Sequence, residues 1–302
     1  DVDALIVSDI GVMLMAKQVA PNLELHVSTQ AGVTNYQAAN AFYELGARRV
    51  VLAREMDLQA VRDIRARIPD DLDIECFVHG AMCMAFSGRC LFSNYLTGRD
   101  GNHGECAQPC RWKYSIVEEK RPGQYFPIEQ TAEGAYLFNS QDMNMLAHID
   151  DLLDSGATSL KIEGRSKSAY YIAAMTNARR KSNTAAEILP EGWHHAGVRP
   201  APHVTLPDWL LDEPDKVAHR DYSTGFYYPE HKVRQSTDRS AYFRAWLVVG
   251  EVLSWSPEDG GRVTIISRNK IEAGQEVEFV LPGAAPFAYT VPAGGFRDAD
   301  GH

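Results

Sequence analysis

Cys83, Cys90, Cys106 and Cys110 follow one another as Cys-x6-Cys-x15-Cys-x3-Cys within a stretch rich in loop-forming residues. Four thiolates gathered by loops can ligate a metal ion or a cluster. All five cysteines of the 302-residue chain lie between positions 76 and 110, a concentration that a shared ligation task explains. A disulfide framework fits poorly, because such chains are short and Cys-dense, whereas this one is long enough to bury an ample core. Zinc favours close pairs with two to four residues between them, which Cys106 and Cys110 satisfy and Cys83 and Cys90 do not. The larger body of a 4Fe-4S cluster spans wider spacings. Spacing therefore favours a cluster, with zinc and unligated thiols as the alternatives. Cys76 stands apart: in DIECFVHG, Ile74, Cys76 and Val78 alternate with Glu75, Phe77 and His79, so Cys76 reads as a small core side chain.

A second group of residues can carry acid–base or anion chemistry. His79 directly precedes the cysteine stretch and can act as acid or base, bond a cluster sulfur, or cap a strand end. Arg54, Arg89 and Arg165 suit carboxylates through bidentate pairing. Lys161, Glu163 and Arg165 fall on one face of a strand, opposite Leu160 and Ile162. Together with Arg54 and Glu55 they make either a reactive polar rim or a structural ion-pair network. Peptide hydrolysis needs an activated nucleophile or a metal that activates water. The chain has no GxSxG elbow and no HExxH helix, and Ser87 and Ser93 near His79 make a triad only by assertion. Ligation of the thiolates would also exclude their use as nucleophiles.

These residues require elements that bring them together. Short β-type runs alternate with helical periods over residues 1–185, as in DALIVSD before a helix at 10–19 and RRVVLARE before LQAVRDIRARI. Strands at 24–30, 71–80 and 159–165 bring the number of βα units to about five. The expected fold class is α/β, a partial (β/α)8 TIM-like barrel with a cysteine-bearing insertion at 80–140. Asp1 opens almost directly onto a strand, so the chain reads as a piece of something longer that holds the remaining units. Asp9, Ser28, Gln30, Arg54, Glu55, His79, Glu163 and Arg165 all fall at or beside C-terminal strand ends, and His26 reads as a core histidine. Residues 186–240 are broken by prolines and read as a connector whose HRDYSTGFY segment docks on the barrel. The short strands of 241–302 suggest a small C-terminal β-barrel.

A net charge of −10 argues against nonspecific coating of nucleic acid, which depends on neutralising phosphates. Local basic character is nonetheless present in Arg89, Arg99, Arg111, Lys113, Lys161, Arg165 and Lys167, a grouping that a solvated face also explains. No apolar run approaches the twenty or so residues of a transmembrane helix, so no membrane role and a reducing cytoplasm are expected.

FVHGAMCMAFSGRCLFSNY, GECAQPCRW, LFNSQDMNML, SLKIEGRSKS and HRDYSTGFY together resemble the U32 "peptidase" family over nearly the whole chain. The resemblance implies more than the family's label, since its better understood bacterial members are linked to oxygen-independent hydroxylation with a 4Fe-4S cluster. Their substrates are tRNA wobble uridine, a ribosomal RNA cytidine or ubiquinone precursors, and prephenate is implicated as hydroxyl source for RNA. Cys83, Cys90, Cys106 and Cys110 match the family's cluster-ligand positions. CAQPCRW and the C-terminal β segment look closer to the tRNA-hydroxylating branch, which implies tRNA as partner and a small dicarboxylate as co-substrate. Collagenase-like proteolysis remains the alternative.

Overall fold

The computed structural model describes residues 2–83, 85–112, 115–116, 119–123, 126–127, 140–164, 167–186, 205–230, 246–258, 261–295 and 297. The first half builds β1 (Ala4–Val7), α1 (Ile10–Val19), β2 (Glu24–Val27), α2 (Tyr36–Glu44), β3 (Ala47–Val51), α3 (Leu58–Arg65) and β4 (Asp73–Ala81). Each of these helices starts on a side-chain cap: Asp9, Asn35 and Asp57 accept the backbone N–H three residues on, at 2.9, 2.9 and 2.7 Å. On α3, Leu58, Val61 and Ile64 share the buried face, in line with their three-residue recurrence.

The cysteine-bearing insertion follows β4 and includes α4 (Phe92–Thr97) and the two-residue strands β5 (Ser115–Ile116) and β6 (Phe126–Pro127). The chain then returns through β7 (Asp142–Asn144), α5 (Ile149–Asp154), β8 (Ser159–Glu163) and α6 (Ala169–Ala186). The connector supplies α7 (Asp208–Lys216) and β9 (Tyr222–Ser223); the last segment holds β10 (Gly250–Ser256), β11 (Arg262–Ser267), β12 (Glu276–Phe279) and β13 (Phe287–Thr290).

Strands β1, β2, β3, β4 and β8 lie side by side, all parallel, so the five expected βα units form one sheet. Among the described residues that sheet is open, and no pairing joins β1 to β8. The α/β class and the five parallel strands are as expected, and the sheet they form is open: neighbouring strands turn by only about 20–25° and closure of a (β/α)8 barrel takes eight. Two further features depart from expectation. Asp142–Asn144, just after the insertion, pairs antiparallel with β4, and β9 of the connector pairs with β7 in turn. The connector therefore adds a strand to the sheet instead of merely resting on it. At the C-terminus, β10 pairs with β11 and β12 with β13 as two separate antiparallel hairpins, and no closed barrel is seen among the described residues.

The two sheet faces have opposite characters. Val50, Ile74, Cys76 and Val78 join Val61, Ile64 and Leu152 in the buried core. The other face presents Arg49, Asp73, Glu75, Phe77, Ser159, Lys161 and Glu163, joined across the β3–β4–β8 ladder. Ala81 and Asp142 are register partners, so the chain leaves the sheet for the insertion and re-enters it at paired positions.

The β4–β8 contact depends on one glycine. Gly80 has φ +118°, and a Cβ there would lie 2.4 Å from the Glu163 carbonyl oxygen and 2.8 Å from its Cβ. Gly80→Ala is expected to push β8 away and lower unfolding free energy by about 2–4 kcal/mol, measured by urea denaturation.

Candidate functional site

Arg54 and Glu55 immediately follow the short bridge that extends β3, where Val33 and Leu52 pair. The Arg54 guanidinium lies 3.9 Å above the Phe77 ring and donates from Nη2 to Glu163 Oε2 at 2.7 Å. Its side chain is only 12% exposed, so this ion pair is partly withdrawn from solvent and stronger than a surface pair. One step down the same face, Lys161 Nζ donates to Glu75 Oε1 at 2.7 Å, Ser159 Oγ to Glu75 Oε2 at 2.8 Å and Arg49 Nη1 to Glu75 Oε2 at 3.4 Å. Burial pushes the Glu75 carboxyl up, but the Lys161 hydrogen bond and charge, the Ser159 bond and the Arg49 charge outweigh it and hold the group below its ordinary value. Arg54, Glu163 and Lys161 are thus gathered as the sequence suggests, in the form of an ion-pair network. Arg165 lies outside the described residues.

The cysteine loop is tied onto this rim. Ser87, between the first two cysteines, is buried; its N–H donates to Glu55 Oε1 at 3.0 Å and its Oγ to Glu55 Oε2 at 3.1 Å. The Arg54 backbone N–H donates in turn to Ser87 Oγ at 3.3 Å. Neighbouring Gly88 has φ +73°, and a Cβ there would lie 2.6 Å from the Gln30 Cα. Gln30 also donates from Nε2 to the Asn102 carbonyl at 2.8 Å, in the half of the loop that leads to Cys106. Within the loop, Ser93 Oγ accepts the Ala107 N–H at 2.9 Å, and the Gln108 N–H donates to Cys106 Sγ at 3.3 Å.

Cys83, Cys90, Cys106 and Cys110 are all partly buried and none is in a disulfide. Burial pushes the Cys83 thiol up; the Ala85 N–H opposes this, the charges of Cys90 and Cys110 add to it, and Arg54 again opposes it. Cys83 is thus within electrostatic reach of Cys90, Cys110 and Arg54. Among the described residues no group of three His, Cys, Asp or Glu side chains gathers around one point that a single metal ion would fill. Cys76 is buried, with its thiol pushed up to about 12 by burial, as its core reading requires.

His79 is placed differently from Arg54. It is 1% exposed, with its ring 5.7 Å from that of Tyr171 and 5.5 Å from that of Tyr222. His219 stacks on Tyr222 with ring centroids 4.3 Å apart. Beside them Arg220 donates to Asp142 Oδ1 from Nε at 3.1 Å and from Nη2 at 2.8 Å, and Lys167 Nζ lies 3.5 Å from Asp142 Oδ2. This buried cluster is the docking role expected of HRDYSTGFY. Asp142, its centre, escapes sequence reading because nothing around NSQDMN marks one aspartate as buried. Ser87, whose partners are Glu55 and the Arg54 backbone, forms no triad with His79, and Ser93 serves the loop backbone.

An open α/β sheet that carries a cysteine loop at its strand ends, followed by a β-rich C-terminal segment, defines a recognisable class. Residues 1–237 match Peptidase family U32 and residues 244–302 match the Peptidase family U32 C-terminal domain; the chain belongs to that family. The chain is 34% identical over 307 residues to "tRNA hydroxylation protein P1" of Bacillus subtilis, across 100% of its own length and 68% of that protein's. It is 32% identical over 327 residues to "tRNA hydroxylation protein P" of Escherichia coli, with 93% of this chain and 67% of that one covered. A 23S rRNA 5-hydroxycytidine synthase of Escherichia coli is 37% identical over 175 residues, covering 58% of this chain and 25% of that one. No helix among the described residues is long and apolar enough to cross a membrane.

Two outcomes follow from the charged network. Asp142→Ala would remove the carboxylate that accepts two bonds from the buried Arg220 guanidinium and is expected to cost about 3–5 kcal/mol in urea unfolding. Lys161→Met should cost about 1–3 kcal/mol near neutral pH. Because the Glu75 carboxyl is held low, its contribution is full above the ordinary value of 4.5 and fades as pH falls through the lower folded value. In Lys161→Met that acid-side fall in stability should be shallower, as read from urea midpoints across a pH series.

Proposed function

We propose that this chain carries the catalytic part of an oxygen-independent RNA hydroxylase that holds a 4Fe-4S cluster on Cys83, Cys90, Cys106 and Cys110. The observation that carries the reading is that both halves of the cysteine loop are held at the C-terminal ends of β2 and β3, the Cys83–Cys90 half through Ser87 on Glu55 and the Cys106–Cys110 half through Asn102 on Gln30. The names of the relatives, tRNA hydroxylation proteins and an rRNA hydroxycytidine synthase, supply the substrate class. When bound, the cluster supplies one-electron chemistry next to the substrate.

The chain's own residues have separable tasks in this reading. The four thiolates bind the cluster, and Arg54, fixed by Glu163 and Phe77, keeps a positive charge beside them. Since Arg54 is already engaged with Glu163, the exposed Arg89 is the better contact for the carboxylates of a dicarboxylate hydroxyl donor, for which prephenate is the candidate. The wobble uridine of tRNA is the proposed base, in line with the two tRNA relatives. Hydrolysis of peptides is disfavoured because neither Ser87 nor Ser93 is paired with a histidine base.

Anaerobically purified protein should be brown, carry about four iron atoms per chain and lose visible absorption when any of the four cysteines becomes Ala. Colourless protein with stoichiometric zinc would overturn the cluster. Mass spectrometry of tRNA nucleosides from a strain lacking the gene should show loss of the hydroxylated wobble uridine, and unchanged nucleosides would overturn the substrate. Arg89→Ala should weaken prephenate binding about tenfold or more in calorimetry while leaving iron content intact.

A further inference from the structure

We infer that Gln30 and Glu55 are positioning residues that set the two halves of the cysteine loop against each other. The inference deepens the reading of Cys83, Cys90, Cys106 and Cys110 as one ligand set and rests on it. Neither residue belongs to the loop: Gln30 follows β2 and Glu55 follows β3, so both stand on neighbouring parallel strands of the rigid sheet.

Each takes hold of a different part. The Glu55 carboxylate receives two bonds from Ser87, one from its N–H and one from its hydroxyl, at 3.0 and 3.1 Å. Ser87 is 2% exposed, so these bonds are made out of water, and loss of the acceptor leaves two buried donors without it. That anchors the segment between Cys83 and Cys90. Gln30 grips both halves at once. Its backbone lies so close to Gly88 that any side chain there would collide with it, and its side-chain amide donates to the Asn102 carbonyl at 2.8 Å. Gly88 belongs to the Cys90 half and Asn102 to the Cys106 half. Asp100 then turns the chain by accepting the Asn102 N–H at 2.8 Å, which leads toward Cys106 and Cys110. The separation of the two cysteine pairs is therefore referred to two adjacent strand ends and not left to the loop alone.

Near-isosteric substitutions test this. Gln30→Glu keeps the size of the side chain but sets a carboxylate against the Asn102 carbonyl, and Glu55→Gln removes the charge and one of the two acceptors for Ser87. Both variants of the full chain should retain wild-type circular dichroism, and either alone suffices should the other fail to fold. Two measurements are compared with wild type: iron bound after anaerobic reconstitution with the rate at which a chelator bleaches it, and cross-linking by a short bis-maleimide in metal-free protein. Peptide mapping reports bridges between Cys83 or Cys90 and Cys106 or Cys110. Iron occupancy and inter-half cross-linking are expected to fall threefold or more, and bleaching to accelerate by a similar factor. Wild-type values on both measurements in folded variants would overturn the inference. If wild type binds no iron, the cluster reading fails by itself, and the cross-linking yield still decides whether Gln30 and Glu55 position the thiols.

Discussion

The close approach of β8 to β4 at Gly80 is the constraint on which the remaining architecture depends. β4 is bonded to β3, β7 and β8, more neighbours than any other strand among those described. A glycine with positive φ lets the backbone of β8 come close enough to set Glu163 opposite Gly80. That position brings the Glu163 carboxylate to Arg54, which arrives from the end of β3. Phe77, two positions before His79 on the same strand, gives the guanidinium a flat apolar seat. One strand thus fixes the charge next to the cysteines, while its C-terminal end launches the loop that carries them.

Polar side chains inside such a sheet are costly to desolvate unless they satisfy one another. Here they do so in a ladder: Arg49 with Asp73 and Glu75, Glu75 with Lys161 and Ser159, Arg54 with Glu163. The carboxylates share cations from two different strands, so the ladder also fixes the lateral order of β3, β4 and β8. A second buried set, Asp142 with Arg220 and Lys167, performs the same service at the other margin, where β7 and β9 join. Charge pairing supplements apolar burial in holding late segments of the chain against early ones.

Much of this was legible in the residues themselves. The βα rhythm of the first half reads directly from apolar periodicity, a local signal, and the structure adds the caps Asp9, Asn35 and Asp57 at the helix starts. The placement of Lys161 and Glu163 on one strand face also follows from alternation alone. What escapes is everything set by contacts distant in sequence. Nothing near Asp142 reveals that its partner lies 78 residues away, nor that Asp142–Asn144 pairs with β4 as a strand. Glu55 and Gln30 look like ordinary strand-end polar residues until Ser87 and Asn102 come up against them. His79 is the converse case: its place before the cysteines is plain in the sequence, whereas the packing of Tyr171 and Tyr222 against its ring is not.

Ala81 and Asp142 face each other across the β4–β7 ladder, so the insertion leaves and re-enters the sheet through a closed neck. The entropy of closing a loop grows only with the logarithm of its length, at about 0.6 kcal/mol per doubling. With the neck held by the sheet and by Arg220, a change in the length of the insertion that leaves Ser87, Gly88 and Asn102 on their anchors adds little closure entropy to the scaffold. The insertion is a cartridge that clicks home at three points: a fold that keeps its strands and those seats can carry a payload of another length through the same mouth.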